Sequence, residues 1–226
     1  YALYVRHRSG DSGAAVEARR MAAAAPDRVD GDLPVEAVAW LLDIIADDAA
    51  PGAQAAELRR ILMNRVEETA GGATFAERYT DGEHLLLHSR RRTDAVVLDA
   101  LIAADPQNDL IPKLAGSLLT HRVRGRWSST QENAWVLLAL NRYFRTYEAT
   151  EPDFRSRIWL GERFVGERPF RGRTTERLHV HVPMPELLRA DTSTLLLSRQ
   201  GEGRMYYRAG LRYAPADLRP DALERG

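Results

Sequence analysis

Gly125-Arg126-Trp127-Ser128-Ser129-Thr130-Gln131-Glu132-Asn133-Ala134-Trp135-Val136-Leu137-Leu138-Ala139-Leu140 is the stretch from which the fold is read. A turn leads straight into a helix start. Ser129 and Glu132 have capping-box spacing, Ser-x-x-Glu, in which each side chain bonds the other's free backbone N–H. The helix continues through Tyr143 and Phe144. Upstream, Leu110, Leu114, Leu118 and Leu119 form a helical stripe over 109–122. Another stripe, Val96, Val97, Ala100 and Leu101, starts near Arg92 and is ended by Asp105-Pro106.

Further upstream the helical pattern recurs. Leu3, Tyr4 and His7 share a stripe over 1–9, and an Ala-rich segment with Val16 and Met21 runs to Pro26. Asp32 and Pro34 mark a helix start for Val35, Val38, Leu41, Leu42 and Ile45. Leu58, Ile61, Leu62 and Val66 predict a helix over 53–69. Gly71-Gly72 breaks the pattern, and 74–79, the turn Asp81-Gly82 and 85–87 read as a short hairpin. After Glu151-Pro152 the character changes. Short segments at 154–160, 163–170, 175–182, 194–198 and 204–213 alternate and are punctuated by Gly, Pro and Asp, an antiparallel β pattern. In 175–182, Leu178, Val180 and Val182 are expected inward, His179 and His181 outward.

The chain has 226 residues, 44% of them hydrophobic, enough for one sizeable core or two modest ones. Lys+Arg and Asp+Glu are equal at 32, so no net field favours nucleic acid or an anionic membrane. The basic runs Arg90-Arg91-Arg92 and His121-Arg122-Val123-Arg124-Gly125-Arg126 read as solvated surface, the first offset by Glu83, Asp94 and Asp99. There is no cysteine, which excludes disulfides, a thiol nucleophile and a Cys-built thioester within this chain. No apolar run approaches the roughly 20 residues of a membrane span. Neither end carries a structural start or stop, so the sequence is expected to be part of a longer protein.

Helical hairpins joined by short turns suggest an α/α toroid or solenoid. Three stretches in order carry a sharper likeness: Arg92-Thr93-Asp94-Ala95-Val96-Val97-Leu98-Asp99-Ala100-Leu101, then Leu110-Ile111-Pro112-Lys113-Leu114, then the stretch quoted first. Together they resemble the later helices of the thioester-containing domain of α2-macroglobulins and complement components. Gly203-Arg204-Met205-Tyr206-Tyr207-Arg208 and Leu211-Arg212-Tyr213 resemble the β-region that follows it in bacterial members. The resemblance implies an α+β multidomain chain, mainly α. A partial α/α toroid of helical hairpins would span 1–150, without a thioester motif. An incomplete antiparallel β-sandwich-like domain of CUB or macroglobulin type would span 151–226. It implies a non-catalytic scaffold in a bacterial endopeptidase inhibitor that traps proteases. Its partners would be proteases, through the full-length parent, and other domains of that parent. The location would be periplasmic, extracellular or cell-envelope. The resemblance implies no catalytic residue, cofactor or metal in this chain, and neither nucleic acid nor membrane as partner.

Several constellations compete with that reading. His84 and His88 have helical ligand spacing, but Asp81-Gly82 argues for a turn there. His179 and His181 read as an exposed polar face. Asp43, Asp47 and Asp48 resemble the acidic clusters of toroid-fold cyclases and are expected on a solvated helix end. Glu132 between Trp127 and Trp135 has the setting of a glycosidase acid, but the capping box accounts for it. Ser128, Ser129 and Thr130 have no identifiable base. Trp40, Trp127, Trp135 and Trp159 are expected to anchor the core or an interface. Gly201-Glu202-Gly203-Arg204 reads as a turn, and no phosphate loop is seen. The alternatives are a toroid-fold enzyme (cyclase or glycoside hydrolase), which two carboxylates converging in a pocket would favour, and a carbohydrate- or protein-binding module using Tyr206, Tyr207 or Trp159. Alternation predicts that at least one of Tyr206 and Tyr207 is buried.

Overall fold

Val35-Glu36-Ala37-Val38-Ala39-Trp40-Leu41-Leu42-Asp43-Ile44-Ile45-Ala46 forms a helix with buried residues on every side. Such a helix must be surrounded. In this computed structural model, which describes residues 1–24, 33–47, 52–69, 71–76, 87–174, 176–189 and 192–213, it is the third helix, α3. It packs against α1 (Ala2–Arg8), α2 (Gly13–Ala23), α4 (Gly52–Met63) and α5 (Arg90–Ala104). Helix α5 is buried from Arg92 to Ile102 and also meets α6 (Leu110–Thr120). Helix α7 (Thr130–Tyr147) buries Glu132, Val136, Ala139, Leu140 and Tyr143. Helix α2 presents Ala14, Ala18 and Ala22, a stripe of small residues at four-residue spacing that lets backbones approach closely. Tyr1–Thr146 form one compact unit and Tyr147–Gly226 a second.

The predicted helix over 53–69 is corrected. It ends at Met63, and Val66–Thr69 (β1) pairs antiparallel with Gly72–Phe75 (β2). Val66 continues the helical stripe of Leu58 and Leu62, but tertiary bonds outweigh periodicity. Ala73 N–H donates to Ser117 Oγ at 3.1 Å, Phe75 N–H to Asp94 Oδ1 at 2.8 Å, and Thr74 Oγ1–H to Asp94 Oδ2 at 2.9 Å. A Cβ at Gly72 would stand 2.3 Å from Ser117 Oγ, so a side chain there would turn that hydroxyl away from Ala73 N–H. The predicted hairpin at 74–87 is displaced upstream to β1 and β2, and the turn Asp81-Gly82 lies outside the described residues.

Between α6 and α7 the chain reverses in two residues. Val123 and Arg126 exchange backbone bonds of 2.9 and 3.2 Å, with Arg124 at φ +51° and Gly125 at φ +85°. Two left-handed residues define a type I′ turn. Glycine is at home there, whereas the arginine pays about 1 kcal/mol. Behind the turn, Trp127 is buried, its indole N–H donating to Leu118 O at 2.8 Å.

The second unit contains a three-stranded antiparallel sheet, order β4-β3-β5, from Asp153–Leu160 (β3), Arg163–Arg171 (β4) and Leu195–Glu202 (β5). A two-residue turn at Gly161-Glu162, with Gly161 at φ +57°, joins β3 to β4. A bulge at Ile158/Trp159 shifts the register. One face carries the stacked pair Phe154–Phe170, 5.3 Å apart. On that face Gly166 lies opposite Ile158, and its missing side chain leaves room for Leu178 and Val180. The other face carries Arg155 and Arg157, both bonded to Glu167. The described part of 175–182 alternates as expected, but it and 204–213 form no ladder, and a short helix, Met184–Leu187 (α8), follows the first. Those two predicted strands are corrected: Leu178 and Val180 reach the sheet by side chains and not by backbone bonds. Among the described residues the molecule is mixed α and β, with eight helices and two small antiparallel sheets. No described helix is long and apolar enough to cross a membrane.

Candidate functional site

Glu36, Trp40 and Asp43 are four and three residues apart and share one face of α3. Arg92 and Asp99 on α5, and Trp135 and Arg142 on α7, are each separated by seven and share a face likewise. With Tyr1, Tyr4 and Arg8 from the first helical segment, they build three polar and aromatic layers in the helical core.

In the first layer the Arg92 guanidinium donates to both Glu36 oxygens, at 3.0 and 2.5 Å, and Thr93 Oγ1–H adds a bond of 3.1 Å. Glu36 is 1% exposed, and His88 Nδ1 lies 3.8 Å from it. The reading of Arg90-Arg91-Arg92 as solvated is corrected for Arg92, which is buried. Its cause is Glu36, 56 residues upstream. In the middle layer Trp40 meets Tyr1 at 5.5 Å and Trp135 at 5.9 Å between centroids, and Tyr4 meets Trp135 at 5.7 Å. These rings pack tilted or edge-on against one another.

The third layer overturns the surface placement of Asp43, which is 2% exposed. Arg142 Nη1 reaches Asp43 Oδ1 at 2.6 Å and Asp99 Oδ2 at 3.2 Å, and donates to the Asp99 carbonyl at 2.9 Å. Arg8 lies 3.5 Å from Asp99 and 3.8 Å from Asp43. Asp47, at the helix end, meets His7 Nε2 at 3.1 Å, and Asp48 lies outside the described residues. Burial pushes the Asp99 carboxyl up to about 6; Arg142 opposes the shift and the Asp43 charge adds to it. Beside this layer opens a cleft of about 530 Å³, lined by Tyr4, Arg8, Asp99, Leu138, Arg142 and Arg145 among others. Two carboxylates thus converge, but one guanidinium bridges them. The layer is an ion cluster at the edge of that cleft, and it joins α1, α3, α5 and α7.

Around the capping box the predicted reciprocity holds by half. Glu132 N–H donates to Ser129 Oγ at 3.2 Å, but the Glu132 carboxylate accepts from Ser128 N–H at 2.9 Å and Ser128 Oγ–H at 2.5 Å. The shift by one residue follows from Asn133, which grips the turn: its Oδ1 accepts from Trp127 N–H and its Nδ2 donates to the carbonyls of Trp127 and Ser129. Burial, the largest single influence, pushes the Glu132 carboxyl up, but the bonds from Ser128 and the nearby Ser89 hydroxyl and Arg91 charge together hold it below its ordinary value. That makes it a poor proton donor near neutrality.

His179 and His181 are exposed, and His84 lies outside the described residues. No group of three His, Asp or Glu side chains among the described residues is placed to hold a metal. Trp159 is half-buried against Phe164. Tyr206 and Tyr207 are 58% and 70% exposed, which corrects the expected burial of one of them. Without a ladder at 204–213 there is no sheet face for alternation to act against.

No family model matches the chain. Over 56% of its length it is 32% identical to an alpha-2-macroglobulin homolog of Nostoc sp., and over 82% it is 24% identical to circularly permutated Ras protein 2 of Dictyostelium discoideum. The first of these supports a weak, partial relation to an α2-macroglobulin homologue. The chain spans only 7% and 6% of the length of these two relatives.

Proposed function

We propose that this chain is a non-catalytic structural portion of an α2-macroglobulin-like endopeptidase inhibitor that traps proteases. The observation that carries the reading is the 32% identity to the Nostoc alpha-2-macroglobulin homolog. The layering of the helices supports a partial α/α toroid: α1, α3 and α5 are successive neighbours, α2 and α4 are neighbours beside them, and α1–α2, α3–α4 and α5–α6 are hairpins. The sheet of the second unit is read as part of a β-sandwich-like domain. The parent acts in the periplasm, at the cell envelope or outside the cell, and proteases meet the parent and not a pocket of this portion.

The Ras name of the Dictyostelium relative is not carried over. A phosphate loop of the P-loop type carries a Gly-Lys pair. The single lysine of this chain, Lys113, follows Pro112. A toroid-fold enzyme is the second reading, favoured by the convergence of Asp43 and Asp99 beside a cleft. Against it stands Arg142, whose guanidinium already bonds Asp43 and pairs with Asp99.

The test is a trapping assay on the parent. The parent is mixed with several endopeptidases, and cleavage of a large protein is compared with cleavage of a small peptide. Loss of the first with retention of the second is expected. Retention of both with every protease would remove the trap reading.

A further inference from the structure

The type I′ turn at 123–126 carries two arginines, Arg124 and Arg126, and a third, Arg122, directly precedes it. Arg122, Arg124 and Arg126 are exposed, and none makes an ion pair with a described residue. Elsewhere in the helical unit most guanidiniums are engaged: Arg6 by Asp11, Arg20 by Glu17, Arg59 by Asp105, Arg60 by Glu57, Arg92 by Glu36. Val123, at the same tip, is 69% exposed.

The tip is rigid. Its two backbone bonds, the buried Trp127 behind it and the Asn133 clasp fix it to the start of α7. It also keeps an arginine at φ +51°, where glycine or asparagine would fit without strain. Local rules broken at an exposed position mark places where the side chain itself is wanted. Arg90, in the first turn of α5, is also exposed.

We infer that this basic tip is a docking surface for an acidic polypeptide segment, read by the guanidiniums of Arg122, Arg124 and Arg126 around Val123. Guanidinium forks fit carboxylates in pairs, and an apolar centre within a charged rim is the pattern of a protein contact. Nucleic acid fits less well. A phosphate backbone needs a longer basic track, and the chain as a whole is neutral. The inference is independent of protease trapping.

The test uses the whole chain and a fluorescent oligoglutamate of about twelve residues, by anisotropy at low salt, with a single-stranded DNA of equal charge alongside. Binding that weakens with salt is expected. The triple variant R122Q/R124G/R126Q should lose roughly tenfold or more in affinity, whereas R20Q/R60Q/R171Q, with the same charge change elsewhere, should bind as the parent does. Arg124→Gly alone should weaken binding without lowering the melting temperature, because glycine suits the turn. Three results would overturn the inference: no oligoglutamate binding, equal binding by the two triple variants, or tighter binding of the DNA through the same arginines.

Discussion

Asp99 shows what a single buried carboxyl does to the molecule. Its folded value of about 6 stands above the ordinary 3.8 of the unfolded chain, chiefly through burial. The sign follows. As pH rises from about 4 to 6, the unfolded form loses this proton first, so ionisation favours unfolding across that window and no further above it. The difference corresponds to roughly 2–3 kcal/mol. Asp99→Asn should therefore remove a fall in stability between about pH 4 and 6 and be neutral or stabilising at pH 7. Thermal unfolding of both forms over that range checks it, and a large loss at pH 7 would mean that the charged form is needed. Burial raises the Asp94 carboxyl too, but Asp94 differs in what it holds. It is fully buried and accepts from Phe75 N–H and Thr74 Oγ1–H, so its removal leaves buried donors unpaired. Asp94→Ala should cost about 3 kcal/mol or more. The amides of 72–75 should then exchange freely in hydrogen-exchange experiments, while those of α3 keep their protection.

At the scale of elements, helix periodicity carried most of the reading. The stripes of α3, α5, α6 and α7 were visible because their apolar residues recur at three- and four-residue spacing. The hairpin β1–β2 was not, because what makes it a hairpin is Ser117 and Asp94, neither of which is local. The site was harder still. Asp43 looked like a helix-end acid, and its partner Arg142 lies 99 residues away. A signal was nevertheless present: Glu36 and Asp43 are charged residues seven apart with only apolar residues between them, and Arg92 and Asp99 repeat that spacing on α5, which puts them in successive layers of a core. The β segments of the second unit failed where alternation lacked a partner strand. A pattern of period two predicts a strand only if a ladder exists to receive it.

For the molecule as a whole, the open edge of the second unit's sheet matters most. Among the described residues strand β5 pairs with β3 alone, and its Leu195 and Leu196 are exposed. An apolar unpaired edge invites another strand, and a chain of zero net charge has little repulsion to prevent it. The isolated chain should associate as its concentration rises, and Leu196→Lys should suppress that. Light scattering behind size-exclusion chromatography reads the mass directly. An unchanged monomer mass over a wide concentration range would show that the edge is already protected.

The two ion clusters of the helical unit, seven residues apart on α3 and again on α5, act as a pair of dowels in a joint. One dowel lets two beams swivel about it. Two forbid swivelling and sliding together, because either movement pulls a carboxylate off its guanidinium at both ends. Apolar packing alone tolerates such slips at small cost. A helical body pegged in this way can transmit a push applied at one end without shearing inside.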